Sequence, residues 1–178
     1  DQNHDITFLE SEGRMWMTHA TAPRAATPLQ IPNALQVEHQ AIHDELVRAT
    51  KAPGEVGVAA RELADVLHAH FVREEEIALP PLGLLAALAR GEFTPEMRAV
   101  LPMTDALRAE LPRMLQEHEA VHAATHRLGE VAREAGDTAA QKLAVALTLH
   151  AQSEEEVFYP AALLVGEVVR ARAGGRAS

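Results

Sequence analysis

The chain has 178 residues, enough for one domain, or two at most, and for a core that stands without disulfides. It contains no cysteine, which excludes disulfide scaffolds, thiolate zinc sites, iron–sulfur clusters and cysteine nucleophiles. Lys+Arg number 16 against 26 Asp+Glu, and the formal net charge of −10 argues against binding to nucleic acid or to an anionic membrane surface.

Hydrophobic residues make up 47% of the chain but aromatics only 3%, so the apolar mass is Ala, Leu and Val. Ala and Leu favour helices, and strand signals are sparse, so the expected fold class is all-α. Ten histidines in an acidic chain are the unusual feature.

Asp1 to Arg14 is polar and lacks the apolar stretch of a signal peptide, and no apolar run approaches the roughly 20 residues of a membrane span. A cytoplasmic protein is expected. Met15 and Met17 are both reasonable native starts, so the residues before them read as a non-native remnant, with processing to a mature N-terminus as the alternative. Thr18 to Pro32 is rich in Ala, Thr and Pro and is expected to be extended. The domain reading is an arm over residues 1–32, a helical body over 33–172 and a fraying tail over 173–178 that contains Gly174 and Gly175.

Asn33 is the expected N-cap of a first helix running to about Thr50, with Leu35, Ile42 and Leu46 at helical spacing. Pro53-Gly54 ends it, and a second helix runs from about Glu55 to Leu79, stopped by Pro80-Pro81. Leu82 to Ala89 is a short apolar helix or turn closed by Gly91. Thr94-Pro95-Glu96 signals another helix start, and Pro102 is expected to break that segment. A third long helix spans about Thr104 to Glu134, bent at Pro112. After a turn at Gly136-Asp137-Thr138, a fourth runs from about Ala139 to Ala171 with a kink or break at Pro160. Four long helices with modest connections pack most naturally as an antiparallel bundle.

The chain also repeats itself. Glu38-His39-x-x-Ile42-His43 in the first helix matches Glu117-His118-x-x-Val121-His122 in the third, at an offset of 79. His70-x-x-x-Glu74-Glu75-Glu76 before Pro80 matches His150-x-x-x-Glu154-Glu155-Glu156 before Pro160, at an offset of 80. Packing two such hairpins about a pseudo-two-fold axis brings four matching polar faces to one centre.

Histidine and glutamate four residues apart lie one helical turn from each other and can serve the same point. Imidazole and carboxylate suit iron, manganese or zinc, and two carboxylates allow a bridged dinuclear site. The candidate ligands are His39, His70, Glu74, His118, His150 and Glu154, two histidines for each ion and both glutamates between them. Cations would offset the cost of burying those carboxylates. A single His-x-x-x-Glu is commonly a solvated pair and a run of three glutamates a charged face. Here the recurrence of one pattern on four helices is what marks a site. Only one glutamate of each triplet lies a turn from its histidine, so the other two are expected to face water.

These motifs, spread over about Ala34 to Val169, resemble the haemerythrin-like, or HHE cation-binding, family. The resemblance implies an up-down-up-down four-helix bundle around a non-haem diiron centre, with the six residues above as ligands. Oxygen-carrying haemerythrins have a third-helix His-x-x-x-His pair, a spacing that His118 and His122 share. This sequence has Glu154 at spacing four where the carriers have Asp at spacing five.

His43 and His122 lie one turn beyond the primary histidines and are expected either as further ligands or as hydrogen-bond donors behind Glu74 or Glu154. His68 and His126 read as structural or surface residues, and His4 and His19 fall in the arm. Tyr159, the only tyrosine, could supply a phenolate ligand but is expected to pack at a helix end, and Trp16 to anchor the arm. The function expected is a diiron protein that binds or reacts with O2, NO or peroxide in sensing or redox defence. The alternatives are a diiron enzyme of ferroxidase or peroxidase type, and a structural zinc or manganese site in an interaction protein.

Overall fold

The computed structural model describes residues 29–175; the arm before Leu29 and the last three residues lie outside the described residues. The expectations for His4, His19, Met15, Met17 and Trp16 therefore concern residues outside that range. All regular structure among the described residues is helical. Its four long helical segments are consistent with a four-helix bundle.

The order is α1 (Asn33–Thr50), α2 (Gly54–Arg73), a π-helical turn over Glu74–Ala78, a 3₁₀ turn over Pro80–Leu84 and the short α3 (Leu85–Ala89). A further 3₁₀ turn (Pro95–Val100) leads into the long α4 (Leu101–Ala135). Then come α5 (Thr138–Ser153), a second π-helical turn over Glu154–Phe158, and α6 (Tyr159–Gly174). Helix α2 packs on α1 and α4, and α4 packs in turn on α5 and α6. Among the described residues no helix is long and apolar enough to cross a membrane.

Several boundaries differ from the sequence reading for identifiable reasons. Asn33 is already helical; Pro32 occupies the capping position and no side chain caps α1. Pro102 does not break the chain but sits in the first turn of α4, where its missing N–H costs no intrahelical bond. Pro112 lies inside α4 without ending it. Between α4 and α5, Gly136 adopts φ 69°, a left-handed conformation open to glycine. Asp137 then caps α5 through the N–H groups of Ala139 and Ala140. Helix α6 continues through Gly174, beyond the expected end at Ala171. A Cβ at Gly166 would run into the Thr104 side chain, so glycine there lets α6 approach α4 closely.

The buried apolar residues fall into clusters. One contains Ile42, Leu67, Phe71, Val121 and Leu147. Another contains Leu35, Leu79, Met114 and Tyr159. On each long segment, a candidate ligand lies between a residue of one cluster and a residue of the other: His39 between Leu35 and Ile42, His70 and Glu74 between Leu67 and Leu79, His118 between Met114 and Val121, His150 and Glu154 between Leu147 and Tyr159. The polar layer is thus closed off above and below by hydrocarbon.

Candidate metal centre

Both His-x-x-x-Glu motifs end at a π-helical turn, which begins at Glu74 in one half and at Glu154 in the other. The prolines explain the placement. Pro80 and Pro160 cannot donate to the carbonyl four residues back and would crowd it, and the wider turn relieves that conflict. In the first turn the Leu79 N–H reaches the Glu74 carbonyl at 2.9 Å. The extra residue per turn widens the inward-facing arc. Glu74 and Glu154 are buried at 0% and 1% exposure, while Glu75 and Glu155 are half-buried instead of facing water as expected; Glu76 and Glu156 are exposed.

The structure brings all six candidate ligands together. His39, Glu74, His150 and Glu154 form one set whose donor atoms lie within 4.8 Å of one another, and His70, Glu74, His118 and Glu154 form a second. Both glutamates belong to both sets. His150 Nε2 is 2.7 Å from Glu154 Oε1, and the Nε2 atoms of His70 and His118 are 2.8 Å apart.

Each histidine turns its other nitrogen to a carboxylate. His70 Nδ1 is 3.3 Å from Glu117, and its counterpart His150 Nδ1 is 3.3 Å from Glu38. His118 Nδ1 is 2.7 Å from Glu155, and its counterpart His39 Nδ1 is 3.6 Å from Glu75. Such carboxylates fix the tautomer and raise the basicity of the imidazole nitrogen that faces inward. Sequence reasoning noted the Glu-His pairs and the triplets but gave Glu38, Glu75, Glu117 and Glu155 no role. The signal was their duplication; an ideal helical wheel hid it.

The electrostatics are those of a dense buried charge cluster. Burial raises the Glu74 carboxyl, and the neighbouring Glu154 raises it further. Burial also acts to raise Glu154, but His118 and His150 outweigh it and hold that group below the ordinary carboxylate range. Burial alone would lower His150; the Glu154 carboxylate, with Glu74 and Glu38 behind it, holds it up to about 9. The same competition leaves His70 and His118 raised.

Residues 30–162 match the model of the family described as Hemerythrin HHE cation binding domain. The chain belongs to the haemerythrin family. No match was found among curated proteins or solved structures. A haemerythrin domain implies a bound cation, and the residues present fit one. His39 Nε2 and Glu74 Oε2 are buried and have no hydrogen-bond partner among the described residues. Lone pairs stranded in this way are costly without a cation. The donor set of imidazoles and carboxylates suits iron, manganese or zinc.

The remaining histidines of this haemerythrin domain and its tyrosine lie around the two sets. His43 and His122 belong to neither set. His122 Nε2 is 3.7 Å from Glu155, not placed behind Glu74 or Glu154, and its side chain is 38% exposed. His43 Nδ1 is 3.6 Å from Asp44. His68 is exposed, and so is His126, beside Glu130 at 3.5 Å. Tyr159 does more than pack at a helix end. Its hydroxyl donates to Glu74 and lies 3.2 Å from His118 Nε2 and 3.5 Å from His70 Nε2. Burial and the surrounding carboxylates push its phenol well above the usual tyrosine range, so it is a hydroxyl donor here.

Proposed function

We propose that this haemerythrin domain holds two iron ions, with His39 and His150 serving one, His70 and His118 the other, and Glu74 and Glu154 bridging both. The centre then binds or reacts with O2, NO or peroxide, in sensing or redox defence in the cytoplasm. The observation that carries the reading is the pair of overlapping four-residue sets that share two buried carboxylates. The bundle is read as running up, down, up and down. Its support is that the two apolar clusters are met in opposite order along successive long segments.

Bound iron would supply redox chemistry and an open coordination position. The chain's own residues supply the rest. The glutamates behind the histidines orient the rings. Phe71 stacks on His39 with ring centroids 4.9 Å apart, and with Leu67, Leu79 and Leu147 it excludes water and favours small neutral molecules over ions. The Tyr159 hydroxyl holds a proton beside the His70 and His118 nitrogens. That same proton donor favours a second reading, turnover of peroxide by an enzyme built on the same ions.

The test is elemental analysis after iron-replete growth, followed by optical spectra of the anaerobically reduced protein exposed separately to O2, NO and peroxide. About two irons per chain and a new charge-transfer band are expected. Autoxidation should follow instead of long-lived oxygen carriage, because Glu154 departs from the carrier pattern. A single ion per chain, or only zinc, would sink the diiron reading. No spectral change with any of the three ligands would favour a structural metal.

A further inference from the structure

The duplication that builds the centre is broken around it, and the breaks set its two sides apart. Glu117, the carboxylate behind His70, is held by Arg73 at 2.7 Å and by Arg113 at 3.1 Å. Its counterpart Glu38, behind His150, has no such clamp in the repeat. The offset of 80 places Ser153 opposite Arg73, and the offset of 79 places Ala34 opposite Arg113. Tyr159, which donates to Glu74 on the His70–His118 side, has Leu79 as its counterpart. On the other side, Phe71 stacks on His39 where the repeat has Ala151.

Each difference acts in the same direction. An imidazole backed by a free carboxylate is the stronger donor, and the field of that carboxylate also attracts a cation. Two guanidiniums on Glu117 cancel much of that benefit for His70 and put positive charge near any ion bound there. Arg73 is only 18% exposed, so solvent does not screen it fully. The Tyr159 hydroxyl competes for the Glu74 oxygen that an ion on this side would use. Among the described residues no arginine pairs with Glu38 or Glu75 behind the His39–His150 position, which also gains an apolar wall from Phe71.

We infer that the two metal positions are unequal: the His39–His150 position takes the first divalent ion and holds it more tightly, and Arg73 weakens the His70–His118 position, which fills second and exchanges. This rests on the two-ion reading above.

The experiment is titration of the metal-free full chain with Co(II) under anaerobic conditions, followed by calorimetry and by visible absorption. Two ions should bind in two resolved steps. Glu38→Gln should weaken the first step roughly 10- to 100-fold, the scale of losing a carboxylate behind a ligating histidine, and leave the second step in place. Arg73→Gln should strengthen the second step severalfold and narrow the gap. Arg113→Gln, at a 62% exposed position, should act in the same direction, which guards against a folding defect in the Arg73 variant. Two ions binding with indistinguishable constants would overturn the inequality, as would an Arg73→Gln protein with both steps unchanged. Saturation below two ions per chain would overturn the two-ion reading itself, and the inference with it.

Discussion

The hydroxyl of Tyr159 hydrogen-bonds a carboxylate oxygen of Glu74 in the middle of the bundle, where both side chains are almost wholly enclosed. A residue at the start of α6 therefore reaches back to the end of the second helical segment and closes the metal layer from one side.

Removing that hydroxyl has an effect that depends on metal. In the metal-free chain, Tyr159→Phe leaves a buried carboxylate oxygen without its donor, at a cost of about 1–3 kcal/mol. With ions bound, Glu74 has another partner and the cost should shrink. Denaturant unfolding with and without divalent metal checks this. Equal destabilisation in both states would mean that the Tyr159 contact is a packing contact alone.

Metal removal should destabilise the whole domain. Glu74 and Glu154 are both buried and Glu74 Oε2 has no hydrogen-bond partner among the described residues, so an ion that binds only the folded chain stabilises it by linkage. At a free concentration 100 times the dissociation constant, one site contributes about 2.7 kcal/mol. The chelated protein should melt well below the loaded one. Coincident melting curves would place the carboxylates in water and contradict the buried geometry.

The variants should sort by position in the centre. Glu74→Ala or Glu154→Ala removes a donor common to both sets and should empty the site. His43→Ala and His122→Ala lie outside both sets and should retain two ions, His122→Ala with at most a modest loss through Glu155. Metal content after dialysis is the measurement. A His43→Ala protein as empty as Glu74→Ala would shift the ligand register by one turn.

The six inward residues could be located from sequence because ideal helical spacing and a duplicated pattern are local properties. Residues whose role depends on neighbouring helices could not. Glu117 matters to His70 because α4 lies against α2, and Glu38 matters to His150 because α1 lies against α5; neither relation is local in the chain. Glu75 and Glu155 were placed in water because a regular helix would put them there. The π-helical turns ahead of Pro80 and Pro160 alter that geometry. Tyr159 follows the second such turn, which is why an ideal wheel gave no hint that it enters the layer.

The pH dependence of the metal-free protein follows from His150. Its pKa is raised from 6.5 to about 9 in the folded chain, against the lowering effect of burial, chiefly by Glu154. A raised histidine contributes stability in full below its unfolded value and loses it as pH rises through its folded value. The metal-free chain should therefore weaken between pH 6.5 and about 9, by on the order of 3 kcal/mol for this buried pair. Metal binding requires His150 without its proton, so apparent metal affinity should rise over the same interval. The loaded and metal-free proteins should thus diverge in stability as the solution becomes more basic. Urea unfolding of both forms at pH 6, 7.5 and 9 tests this, with His150→Gln as the control that makes the metal-free profile shallower. A metal-free stability that stays level or increases across that interval would show that the His150–Glu154 pair does not hold its proton in the folded chain.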